Sequence, residues 1–205
     1  VMFTIDATGS MGDEMDYLKS ELKNIIGRLD KRINKKRVAL TFYRDTADEF
    51  VVKDFDFNTN IDVVKDILAS QNADGGGDYE EAVEKALQTS LSKSWDLDAR
   101  SKLLLLLLDA PPHLTQENVS VIKSQIQIAQ EKGIKIIPIV ASDADKTVEF
   151  LMRFFSISTN GTYVFLTDDS GIGNDHLEPT TPDYKVEKLN DLIVRLIEKY
   201  SGVPS

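Results

Sequence analysis

Two periodicities divide the chain. Short, nearly continuous apolar runs alternate with longer stretches in which apolar residues recur every third or fourth position. The first kind predicts strands buried on both faces, the second amphipathic helices. Strands are predicted over 1–5, 37–43, 49–57, 101–108, 134–140 and 162–166. The first helix is predicted over 12–31, where Met15, Leu18, Leu22, Ile25, Ile26 and Leu29 form one face. Asn58-Thr59-Asn60 caps a second helix carrying Ile61, Val64, Ile67 and Leu68. A third has Ala82, Val83, Ala86 and Leu87 on one side. Further helices are predicted over 115–132, with Gly133 as the stop, and over 145–156 and 184–200.

The link Thr46-Ala47-Asp48 is too short for a parallel crossover, so the third strand should be antiparallel, at the sheet edge. Elsewhere strands and helices alternate. With right-handed crossovers, this predicts an α/β, doubly wound, Rossmann-like domain. Its mainly parallel six-stranded sheet has the order 3-2-1-4-5-6, with helices on both faces. Pro138 favours an outer position for the fifth strand.

The polar residues with chemistry to offer gather where strands end. Asp6, Thr8 and Ser10 follow the first strand at i, i+2 and i+4, and Gly9 permits the tight turn that makes them converge. One carboxylate and two hydroxyls, without Cys or His, suit a hard cation such as Mg²⁺, Mn²⁺ or Ca²⁺. Asp13 and Glu14 read as first-turn helix residues. Gly75-Gly76-Gly77 precedes a helix, but Asp78 follows where a phosphate-cradling loop carries Lys and Ser or Thr. Glu80 and Glu81 read as residues of that helix's first turn, where acids favour the dipole. Asp109 closes a run of six leucines, and Pro111 and Pro112 end the strand. His113 reads as structural or exposed, and Arg44-Asp45 as a surface ion pair. The polar loop 167–182 holds Asp168, Asp169 and Asp175. A self-packed solvated loop and a second cation site are its two readings.

Asp6-Ala7-Thr8-Gly9-Ser10-Met11-Gly12 resembles the signature that opens the metal-ion-dependent adhesion site of von Willebrand factor type A domains, in a largely microbial branch. The resemblance covers nearly the whole chain. It implies the same sheet with an antiparallel third strand. It also implies a site for one divalent cation, Mg²⁺ before Mn²⁺ or Ca²⁺. Thr8 and Ser10 would coordinate directly, and Asp6 and Asp109 largely through water. In the family, a Thr before the third helix completes the site. Asp78 is read at that position, a departure that adds negative charge and disfavours a carboxylate ligand. The resemblance further implies a protein partner that offers an acidic group to the cation.

Composition narrows the alternatives. A length of 205 residues fits a single domain over 1–205, and 41% hydrophobic residues supply a core. The first residue lies inside a strand and is not Met, which reads as a domain excised from a longer chain. A net charge of −10 opposes a nucleic-acid partner. The absence of Cys excludes disulfides and thiolate metal sites. No apolar run is long enough to span a membrane. The compartment stays open, with an extracellular or cell-surface setting favoured. The favoured function is a cation-dependent binding module rather than an enzyme. A metal-dependent hydrolase, with His113 or Asp78 as base, and a scaffold whose cation only stabilises loops are the alternatives.

Overall fold

The computed structural model describes residues 1–33, 35–141, 144–166 and 187–203. The acidic loop with Asp168, Asp169 and Asp175 lies outside them, as does the expected start of the last helix. Six strands form one sheet in the order β3-β2-β1-β4-β5-β6. They are β1 (Met2–Asp6), β2 (Val38–Tyr43), β3 (Val52–Asn58), β4 (Lys102–Leu108), β5 (Ile134–Val140) and β6 (Val164–Phe165). All pairings are parallel except β2 with β3. The sheet is the one the sequence predicts. β5 takes an outer position next to the edge, as the expected order places it, and the two-residue β6 pairs beyond it. That pairing begins at Ile139, one residue after Pro138, so the strand's missing N–H falls outside it.

Among the described residues, the α-helices are α1 (Gly12–Asp30), α2 (Ile61–Ala69), α3 (Val83–Ser92), α4 (Gln116–Lys132), α5 (Lys146–Ser158) and α6 (Leu189–Ser201). Local chemistry sets several of their ends. The Asn60, Thr115 and Asp145 side chains accept first-turn N–H groups of α2, α4 and α5. Gly133 and Gly202 end α4 and α6 in the left-handed conformation.

The leucine run of β4 shows why helices cover both sides. Leu103, Leu105 and Leu107 point into the layer formed with α1, α2 and α6. Leu104, Leu106 and Leu108 point into the layer formed with α3, α4 and α5. The same alternation divides β1, with Phe3 and Ile5 on one side and Met2 on the other. The central strands β1 and β4 therefore contribute to two cores, and neither of their faces meets water, whereas the edge strand β3 exposes Lys53, Asp54 and Asp56.

This arrangement has a direct mechanical consequence. Leu105→Ala and Leu106→Ala point to opposite layers, yet each should destabilise the domain by about 2–5 kcal/mol, as expected for a cavity in a fully packed core. Urea unfolding of both variants checks this.

Candidate functional site

β1, β2 and β4 are parallel and in register, with Asp6 beside Tyr43 and Ile5 beside Leu107. Their carboxyl ends therefore open onto one edge of the sheet, the edge at which doubly wound folds bind ligands. Asp6 is the last residue of β1 and has no exposed surface. The Thr8 N–H and hydroxyl both donate to Asp6 Oδ1, at 2.9 and 2.7 Å. The Thr8 hydroxyl is also 3.3 Å from that of Ser10. The i, i+2, i+4 spacing thus forms a cluster of oxygens, with Asp6 and Thr8 buried and Ser10 at the solvent. Asp109, 4% exposed, enters the same site from the end of β4 and acts electrostatically on Asp6.

A second loop lies over this one. Gly75 and Gly76 both have positive φ, 81° and 84°, which L side chains rarely adopt. Any Cβ on Gly75 would also collide with the Asp48 carboxylate. The Gly9 N–H donates to Gly75 O at 3.2 Å, and Gly76 N–H donates to Asp48 at 3.1 Å. Arg44 fastens the two loops from below. It is buried, not at the surface, and donates to Ala7 O and Asn72 O, each at 3.0 Å. Its remaining ion pair, at 4.0 Å, is with the exposed carboxylate of Glu49. Asp45 pairs with His113 instead, whose Nε2 lies 2.7 Å from Asp45 Oδ1. The hydrogen bond to Asp45 raises the His113 pKa. Burial pushes the Asp45 carboxyl up, but bonds from His113 and the Thr46 amide outweigh it and hold the value below the ordinary one.

Asp78 is placed with this pair. It is exposed, and Asp45, Asp78 and His113 can each turn a ligand atom to within 4.8 Å of the others. The residue immediately before the third helix is a different one. α3 starts at Val83 with Ala82 as its N-cap, later than the residue types alone predict. Glu81 is therefore not in a first helical turn. Its N–H donates to Pro111 O at 2.9 Å, and it forms a parallel bridge with Pro112. This bridge holds Glu81 extended and fixes it against the segment that follows Asp109. Glu81 is only 3% exposed. Its Oε1 and the Thr8 Cβ lie 3.6 and 3.4 Å from the point where a Gly76 Cβ would stand, so both border one space.

The electrostatics of this edge are one-signed. Burial, and then the Asp109 charge, push Asp6 up to about 7 from an ordinary 3.8. Burial, followed by Asp6, Asp45, Asp48 and Asp109, pushes Glu81 up to about 9 from 4.5. Asp6 Oδ2 and Glu81 Oε2 are buried without a well-formed hydrogen bond among the described residues, and the nearby Tyr43 hydroxyl offsets the rise of Asp6 only in part. Unsatisfied buried carboxylate oxygens are costly unless protonated or matched by a cation. The donor set of Asp6, Thr8, Ser10 and Asp109 is all oxygen and mostly acid, which fits a hard divalent ion.

The raised values fix the sign of the pH response. An acid whose folded pKa lies above its unfolded one stabilises the fold at low pH and ceases to do so as pH rises through the folded value. In chelator, the melting temperature should therefore fall between pH 5 and 9, through the values of about 7 for Asp6 and 9 for Glu81. The increment on adding Mg²⁺ should grow over the same range, because cation binding favours the ionised carboxylates. Thermal melts across pH, with and without Mg²⁺, check both slopes.

Comparison with known proteins places the fold and the family. The solved structure of the conserved hypothetical protein BatB from Bacteroides thetaiotaomicron superposes with a TM-score of 0.63 at 14% identity, covering 98% of both chains. The pilus adhesin SpaC from Lactobacillus rhamnosus GG, in an open conformation, gives 0.61 at 13% identity, over 80% of this chain and 27% of that one. At such identities these show a shared fold. An "ariadne-like RING finger protein R811" of Acanthamoeba polyphaga mimivirus is 29% identical over 109 residues, which are 53% of this chain and 11% of that protein. The model of the von Willebrand factor type A domain matches residues 1–175. With the sheet order and the loop-bearing edge described above, this chain belongs to the von Willebrand factor type A domain family.

Proposed function

We propose that the domain is a divalent-cation-dependent module for binding another protein, not an enzyme. One observation carries this reading. The Thr8 hydroxyl lies between Asp6 and Ser10, while the second oxygen of the fully buried Asp6 carboxylate has no well-formed hydrogen bond among the described residues. Asp6, Thr8, Ser10 and Asp109 would hold the ion, with Thr8 and Ser10 coordinating directly and Asp6 and Asp109 largely through water. Mg²⁺ suits this set best, since it retains several waters beside a few protein oxygens. When bound, the ion offers a coordination position to an oxygen of the partner.

The rest of the site has a supporting role. The Gly75-Gly76 loop and Arg44 hold the Thr8–Ser10 turn in place, so the oxygens are arranged before any ion arrives. Ser10, the exposed member, lies where a partner can reach it. Family membership supports an interaction role, and the likeness to a pilus adhesin supports a cell-surface or extracellular setting. No helix among the described residues is long and apolar enough to cross a membrane.

Calorimetry with Mg²⁺, Mn²⁺ and Ca²⁺ tests the reading. Wild type should bind, with Mg²⁺ and Mn²⁺ at a single site. Asp6→Asn and Ser10→Ala should each weaken Mg²⁺ at least tenfold, about 1.4 kcal/mol. Equal binding by wild type and both variants would remove Asp6 and Ser10 from the site.

A further inference from the structure

We propose that Glu81 is a built-in carboxylate of the cation site, and that it directs the site away from acidic ligands toward neutral oxygens such as amide carbonyls and hydroxyls. The proposal rests on the cation reading above and specifies its ligand class.

The geometry is particular to this residue. Glu81 carries a buried carboxylate, and backbone contacts to Pro111 and Pro112 lock it beside the strand end that bears Asp109. Across the space over Gly76 it faces Thr8. Gly76 leaves that space open, since a Cβ there would stand in contact with Thr8 Cβ and Glu81 Oε1 and fill the gap between them. Glu81 forms no ion pair among the described residues, and the charges acting on it, Asp6, Asp45, Asp48 and Asp109, are all negative. Its Oε2 is buried without a donor among those residues. A long acidic side chain folded inward, away from water and toward other acids, is in the wrong place for helix capping or for solubility. It is in the right place for a cation held by Asp6 and Thr8.

The consequence is a matter of charge. Asp6 and Asp109 alone would neutralise one divalent ion. With Glu81 the count is three negative charges against two positive, leaving −1 overall. A site with that balance retains the ion more tightly and repels an incoming carboxylate. Even in a wet site, repulsion between like charges at such close range is expected to change affinity roughly fivefold. A neutral carbonyl or hydroxyl oxygen meets no such repulsion.

The test uses the chain as it stands, with the metal alone and then with acetate as a simple carboxylate probe. Glu81→Gln has nearly the same shape and keeps the backbone anchor, so it should fold. It should weaken Mg²⁺ at least tenfold in calorimetry. Glu81→Asp, which keeps the charge on a shorter side chain, should lose less. Water-proton relaxation of the Mn²⁺-loaded protein gives a readout independent of affinity, and Glu81→Gln should admit additional exchangeable water. In Mn²⁺, Glu81→Thr should bind acetate about fivefold more tightly than wild type does. If Asp6→Asn loses the ion while Glu81→Gln and Glu81→Asp bind it as wild type does, Glu81 is not part of the site and this inference is overturned alone. If wild type binds no divalent ion, the cation reading and this inference are overturned together.

Discussion

Six consecutive leucines in β4 are packed between two helical layers, and the rest of the molecule follows from covering both faces of that strand. A strand buried on both faces needs a helical layer on each side, and the connections between the central strands supply those layers. The chain must cross over through a helix and return, and this makes the central strands parallel. Parallel strands in register end together. Asp6, Tyr43 and Asp109 meet at one edge for this reason, although they come from three distant parts of the sequence. At that edge the chain runs in loops and helix starts, among them the 3-10 turn Gly9–Met11 that carries Ser10, and these carry the polar groups.

Those loops solve an electrostatic problem. They gather buried acids around Asp6 and supply almost no positive charge in return. The obvious candidate, Arg44, holds loops through the carbonyls of Ala7 and Asn72, and its ion pair is with the exposed Glu49. His113 is occupied by Asp45. Two successive glycines with positive φ let the overlying loop approach closely without bringing in a side chain. The result is a rigid, acidic, oxygen-lined edge whose internal repulsion is relieved by protons or by a cation. In proteins a hard divalent ion is the usual match for oxygens alone.

The fold is shared with proteins that are only 13 or 14% identical, so the architecture tolerates wide change in sequence. Ligand choice then depends on a few side chains at the edge, since a fold by itself does not specify what is bound. Glu81 is such a side chain. Its effect on the charge of the site is larger than that of exposed acids such as Asp78, because water does not screen it.

Features that depend on neighbours along the chain are legible in the amino-acid sequence alone. The two periodicities dictate the strand–helix alternation, and the short link at Thr46-Ala47-Asp48 dictates the antiparallel β3. Burial on one face or two is written directly in the spacing of apolar residues. The convergence of Asp6, Thr8 and Ser10 is legible too, because i, i+2 and i+4 on one turn are brought together by local geometry. What decides Glu81 is not local. Glu80 and Glu81 have the residue types of a first helical turn, and propensity alone starts the helix there. The backbone bond from Glu81 to Pro111, far along the chain, keeps Glu81 extended and turns it inward. The pairing of Asp45 with His113 spans 68 positions, and the burial of Arg44 depends on carbonyls of two other loops. A single sequence carries no signal for such contacts, because each is set by where the sheet places distant strand ends.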